Sequence, residues 1–233
     1  MGAEGFAANT IFSFGSITIT SSIITTWVIM IFLIILAYFF TYRLKLIPKT
    51  PQNILESIIM VMHNAIQEVL PEHVNLIFPF ISSLWIFILI SNLIGIIPLL
   101  NSPTSDFSVT SALAILTFLS VHWYGIKVCG FKNYLSHYIK PSFILLPFHL
   151  VSEVSRTLAM AVRLFGNMMS LQFTALLILM IMGFLVPVPI LMLHIVEAII
   201  QAYIFGMLAL VYIAGGIQIQ EEKIIKKKEL INE

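Results

Sequence analysis

Charge is what this chain has least of. Among 233 residues there are 12 Lys and Arg and 11 Asp and Glu, 10% in all, against 59% hydrophobic residues. An ordinary soluble domain carries about 25% charged residues, so a water-facing surface of the usual kind is excluded. The net charge of +1 lacks the basic footprint that nucleic acid binding requires. With one cysteine, Cys129, no disulfide can form within the chain. Met1 to Tyr42 contains neither Lys nor Arg, so the basic start of a cleavable signal peptide is missing, and the first apolar run is expected to act as its own insertion signal. There is no G-x-x-x-x-G-K loop, no H-E-x-x-H and no G-x-S-x-G. Nucleotide or hydrolytic chemistry within the chain is therefore not expected, nor is a cofactor or a metal centre. No internal repeat of the kind found in self-contained transporters is visible.

What the chain has in abundance is apolar length. Mean hydropathy is +1.02, and several runs reach or approach the ~20 residues that cross a bilayer. The expected fold is an all-α polytopic membrane protein, a single membrane domain over 1–233 with about five transmembrane helices. The spans are placed at 21–42, 76–98, 108–126, 152–185 and 190–217, with an amphipathic interfacial helix at 53–70. Arg43, Lys45 and Lys49 follow the first span, Lys127, Lys132 and Lys140 the third, and the tail KIIKKKEL the last. By the positive-inside rule these ends are cytoplasmic, with the N-terminus outside and the C-terminus inside. The fourth run is too long: 34 helical residues reach about 50 Å, whereas hydrocarbon is ~30 Å thick. It is expected to tilt strongly or to lie partly along the interface, and to end at the Pro-Val-Pro of Pro187–Pro189.

Within that run stands one arginine. From Thr157 to Val196, Arg163 is the only charged residue apart from the titratable His194. A guanidinium stays charged at any ordinary pH, and placing it in hydrocarbon costs at least ~3 kcal/mol. Helical spacing aligns Arg156, Met160, Arg163, Asn167, Ser170 and Thr174 on one stripe, and His194, Glu197, Gln201 and Phe205 on one face of the last span. A fixed cation opposite a carboxylate, an imidazole and an amide suggests an ion route. Interhelical hydrogen bonding explains Asn167 or Gln201 equally well when each is taken alone. Counted from the Pro-Val-Pro turn, Arg163 and Gln201 would sit roughly 18 Å apart in depth, so the stripes meet only if the long helix tilts.

AVRLFGNMM around Arg163 and IQAYIF around Gln201 resemble the membrane-embedded subunit a of F-type ATP synthases. SNLIGIIP (Ser91–Pro98), PTSDFSVTSALA (Pro103–Ala114) and LLPFHLVSEVSRT before the long helix resemble the same family's patterns in the same order. The resemblance implies a stator beside a rotating ring of c subunits, with peripheral-stalk b subunits, the F1 sector reached through the stalks, and membrane lipid as the other partners. It implies two offset half-channels carrying H+ (or Na+), with Arg163 as the essential charge facing each ring carboxylate, Gln201 as the glutamine opposite it and Asn167 as the asparagine one turn on. Strong tilt of the long helix, and its packing with the last helix toward the c ring, are implied as well.

Some positions depart from the pattern. Many members carry a Glu/His pair where this chain has Gln172 and His194. Glu197, one turn from His194, is the candidate substitute relay on the far side, with a plain hydrogen bond to His194 or to the N-terminal half of a neighbouring helix as the alternative. Ser170 joins the ion pathway on its stripe. Arg156 matches a commonly basic position, expected near the cytoplasmic interface, and Glu153 is spaced to pair with it. His149 and Glu153 are weaker candidates for the cytoplasmic half-channel; their i, i+4 spacing lacks the third ligand of a metal site. Asn92 reads equally as a lining residue of the far-side entrance or as helix packing, and Asp106 as a cap or turn residue. The expected setting is a bacterial plasma (inner) membrane rather than an organelle inner membrane. The competing readings are a self-contained transporter or channel binding an anion at Arg163, and a purely structural membrane scaffold.

Overall fold

The computed structural model describes residues 10–14, 17–42, 50–95, 102–130, 146–182 and 187–232. Six α-helices account for nearly all of them: α1 (Ser21–Tyr42), α2 (Thr50–Val69), α3 (Val74–Ile94), α4 (Phe107–Cys129), α5 (Leu146–Met182) and α6 (Pro187–Asn232). Among the described residues, five helices are long and apolar enough to cross a membrane, with α2 the exception, as the hydropathy pattern predicts. A small addition precedes them. β1 (Thr10–Phe14) and β2 (Ile17–Thr20) pair antiparallel, Phe14 opposite Ile17, in a stretch rich in β-branched residues where the all-helical reading places no strand.

The helices differ in how much of themselves they bury. α1 is apolar on every side, yet only Ser22 and Ile29 are buried, while Trp27, Ile34, Ile35 and Phe39 face outward. A helix hydrophobic all round that is not enclosed by protein suits lipid. α2 is amphipathic, with Ile66 as its buried contact to the core. α3 and α6 form the most extensive pairing, and α4 packs against both α5 and α6. Ile77, Ile81, Trp85 and Ile88 of α3 meet Phe205, Leu210 and Ile213 of α6, with Met160 and Leu164 of α5 closing the cluster.

Small residues set that approach. Ala198, Ala202, Gly206 and Ala209 are buried along one side of α6, a spacing that lets helix backbones come close. The Trp85 indole lies over Gly206 so tightly that a Cβ there would overlap its ring. Trp85 Nε1 donates to the Tyr203 carbonyl at 3.2 Å, and the two rings stack with centroids 6.1 Å apart.

Helix ends depart from the expected boundaries at several places. α3 stops at Ile94 rather than at 98, and α4 runs three residues beyond 126. Asp106 caps α4, its Oδ1 accepting from the Ser108 N–H at 2.9 Å, the role its side chain suits. The largest correction concerns Pro187–Pro189. These prolines do not end the long helix; α5 ends at Met182, and α6 begins at Pro187. Proline is compatible with a first helical turn, where the N–H it lacks has no intrahelical partner. α5 is 37 residues long, or about 55 Å, so its excess over the bilayer is greater than the sequence suggests.

Candidate functional site

With α5 described to Met182 and α6 from Pro187, the depth arithmetic changes. Asn167 lies 15 residues before the end of α5 and Gln201 lies 14 after the start of α6 (182 − 167 and 201 − 187). The two are thus level in antiparallel helices, and Asn167 Nδ2 donates to Gln201 Oε1 at 2.8 Å. The offset expected between Arg163 and Gln201 shrinks from roughly 18 Å to about 8 Å, so the meeting of the stripes does not itself demand a tilt. Gln201 is buried, and its Nε2 has no partner among the described residues. Arg163, one turn before Asn167, is exposed on the flank of α5, as are Ser170 and Thr174. Among the described residues nothing forms a hydrogen bond or ion pair with Arg163. The structure thus separates the stripe into an amide pair turned inward and an open cation beside it.

Toward the C-terminal end of α3, a second group of polar side chains converges. Asn92 and Ser91 are fully buried. Ser102 Oγ lies 2.7 Å from the Ser91 carbonyl and 2.6 Å from Thr104 Oγ1, which in turn lies 2.6 Å from the Asn92 amide oxygen. Two hydroxyls have two hydrogens for three contacts. All three are satisfied together when Asn92 presents its amide nitrogen to Thr104 instead. Donation then runs from Asn92 through Thr104 and Ser102 to the Ser91 carbonyl, and the Asn92 carbonyl oxygen is the atom left without a partner. His194 is buried here too, its ring against the Asn92 backbone and near Glu197. Its Nε2 and the Ser91 hydroxyl have no partners among the described residues. Gln172 reaches the same place, its amide 3.3 Å from where a Cβ on Gly95 would stand. Buried polar atoms are paired in roughly nine cases of ten, with water included, which sets this group of orphans apart from an ordinary apolar helix interface.

A third group lies toward the opposite ends of the helices. His122 Nε2 of α4 stands 3.7 Å from Glu153 Oε2 of α5. Arg156 lies over the Tyr212 ring of α6, 5.3 Å from its centroid, a cation–π geometry. Where the i, i+3 spacing invites a Glu153–Arg156 pair, the structure turns Arg156 onto Tyr212 and brings Glu153 to His122. His149 belongs to the first turn of α5, and its side chain lies outside the described residues. Among the described residues no cluster of three metal-ligating side chains occurs.

Helical spacing thus puts Asn167 and Gln201 on facing stripes, and His194 beside Glu197, as the structure has them. It passes over His122, Ser102 and Thr104. A histidine in the third span, five residues before Lys127, is the signal available for the first. The hydroxyls in the loop carry none, since their partners are on α3.

A family model described as ATP synthase A chain matches residues 23–214, a range that holds all three polar groups. The chain belongs to that family. Subunit a of ATP synthase from Legionella pneumophila subsp. pneumophila is 66% identical over 224 residues, covering 96% of this chain and 97% of the relative. ATP synthase subunit a 2 of Pelobacter propionicus is 51% identical over 219 residues, with 94% and 96% covered. The corresponding subunit a 2 of a Picosynechococcus species is 41% identical over 209 residues, covering 89% and 90%.

Proposed function

We propose that this chain is the ion-translocating stator of an F-type ATP synthase in a bacterial inner membrane, working against a ring of c subunits and held by peripheral-stalk subunits that lead to the F1 sector. The observation that carries the reading is the division around Arg163. The cation is open on the flank of α5, its neighbour Asn167 is engaged by Gln201, and separate polar groups lie toward opposite helix ends.

The chemistry follows from the charge. A ring carboxylate arriving beside Arg163 loses its proton or metal ion, because an opposite charge favours the ionised form. The guanidinium keeps its own charge through every cycle, so a cation cannot pass Arg163 directly from one side to the other. It leaves and reloads through the two polar groups. Asn92, Gln172, His194 and Glu197 serve the outer side, with Glu197 as the carboxylate relay; Glu153, Arg156 and His149 lie toward the cytoplasmic side. Ser170 lies beside the path on the flank of α5. The Asn167–Gln201 bond holds α5 and α6 at the level where exchange occurs. Nucleotide chemistry belongs to the partner subunits.

The test is ATP-driven ion pumping by membrane vesicles containing the whole complex, wild type beside Arg163→Ala. Loss of pumping and of coupled synthesis from an assembled complex is expected. Undiminished pumping would remove Arg163 from the mechanism and the stator role from the chain.

A further inference from the structure

His122 of α4 and Glu153 of α5 turn toward each other, Nε2 of one 3.7 Å from Oε2 of the other. Nδ1 of His122 lies 3.0 Å from the Phe118 carbonyl oxygen, one turn back in α4. A carbonyl can only accept, so Nδ1 carries the hydrogen, and in the neutral ring Nε2 is left with a lone pair. That lone pair faces Glu153 Oε2 at 3.7 Å, and an ionised carboxylate is also an acceptor only. The two side chains are 29% and 23% exposed, so water screens the contact only in part. One proton on Nε2 turns two opposed acceptors into an ion pair without any movement of the helices.

The placement is as informative as the chemistry. His122 lies at the end of α4 that carries Lys127, the cytoplasmic end by the positive-inside rule. Glu153 precedes Arg163 by ten residues on α5, about 15 Å along the helix. Among the described side chains, the other charged or titratable groups at this end of the packed helices are Tyr124 and Lys127 on α4 and Arg156 over Tyr212; His149 stands one turn before Glu153 in sequence, and His122 and Glu153 each make a further contact beyond these.

We propose that His122 and Glu153 together form a proton-holding station on the cytoplasmic approach to Arg163, a role that rests on the stator reading above. An arriving proton adds to Nε2, forming one N–H bond and an imidazolium beside the Glu153 carboxylate. It leaves from the same nitrogen, to water on the cytoplasmic side or toward the ring carboxylate according to the direction of rotation. The Nδ1–H bond is never broken, and the neutral ring is restored. A pair of one imidazole nitrogen and one carboxylate oxygen suits a proton better than a hard metal cation, which prefers an all-oxygen shell.

The experiment uses the whole complex in inverted membrane vesicles and compares wild type, His122→Gln, Glu153→Gln and Arg163→Ala. Glutamine at 122 keeps an amide donor toward Glu153 but cannot take up and release a proton. With the complexes assembled, ATP-driven proton uptake should fall roughly tenfold to a hundredfold in His122→Gln, the scale on which loss of a proton-transfer group is felt. Its pH profile should lose an inflection that wild type shows, and Glu153→Gln should also pump poorly. If the pair is only a tie between α4 and α5, His122→Gln will pump like wild type with an unchanged pH profile, and the proposal is overturned. Radioactive sodium uptake that carries the whole current and is unaffected by His122→Gln overturns it equally. Arg163→Ala separates the two levels: a dead Arg163→Ala beside a normal His122→Gln removes the station alone, whereas a normal Arg163→Ala removes the stator reading as well.

Discussion

Gln201 shows how a single side chain ties two helices together. Its carbonyl oxygen accepts from Asn167 at 2.8 Å while the side chain is almost wholly buried. Replacing it by leucine leaves the part-buried Asn167 amide without its acceptor, and an abandoned buried donor costs about 1–3 kcal/mol as an upper figure for such a site. Gln201→Leu should therefore lower the temperature at which the detergent-solubilised complex loses activity. Adding Asn167→Leu should recover part of that loss, since removing both partners is far less costly than removing one; a second, additive loss would show that the two amides are not coupled. At this scale Arg163, Asn167 and Gln201 were legible because helical spacing is a local property. His122 was not, because its meaning depends on a carboxylate supplied by another helix.

The pairing of α3 with α6 depends on what α6 omits. Gly206 leaves room for the Trp85 indole, which is anchored by its hydrogen bond to the Tyr203 carbonyl. Gly206→Ala must push the indole away, and overpacking of this kind costs about 1–3 kcal/mol. The expected outcome is a poorly assembling or heat-sensitive complex, read from the yield of intact complex on native gels. Trp85→Phe in the same background should recover assembly, because the smaller ring leaves space; full assembly of Gly206→Ala alone would mean that the helices pack less closely here. The prolines at the start of α6 make a related point. Proline marks a helix boundary but not on which side of it the helix lies, and here the helix follows rather than precedes Pro187–Pro189. That shift of a few residues brings Asn167 and Gln201 to one level.

Across the whole molecule, burial is uneven among the membrane-crossing helices. α3 and α6 are buried over 44% and 50% of their most apolar windows, but α5 over only 17% and α1 over 6%. The open flank of α5 carries Arg163, and an uncovered cation within an apolar surface is costly in hydrocarbon unless it is paired or faces water. Orientation is testable directly. Trypsin should remove the tail at Lys223 to Lys228 in inverted vesicles and leave it intact in right-side-out ones, with an N-terminal epitope tag accessible from the opposite face. The reverse pattern would invert the assignment of the two polar groups to the two sides.

Five membrane-crossing helices, the basic ends that orient them and the stripes bearing Arg163, Asn167, His194 and Gln201 can all be read along the chain. Hydropathy, charge asymmetry and the 3.6-residue period act along a single segment and need no knowledge of its neighbours. It took packing to bring Asn167 to Gln201, to complete the polar group around Asn92 with Ser102 and Thr104 from a loop, and to turn Glu153 to His122 while Arg156 goes to Tyr212. Each of these joins residues on different elements, and the depth at which two helices meet is set by their packing and by where the chain turns between them.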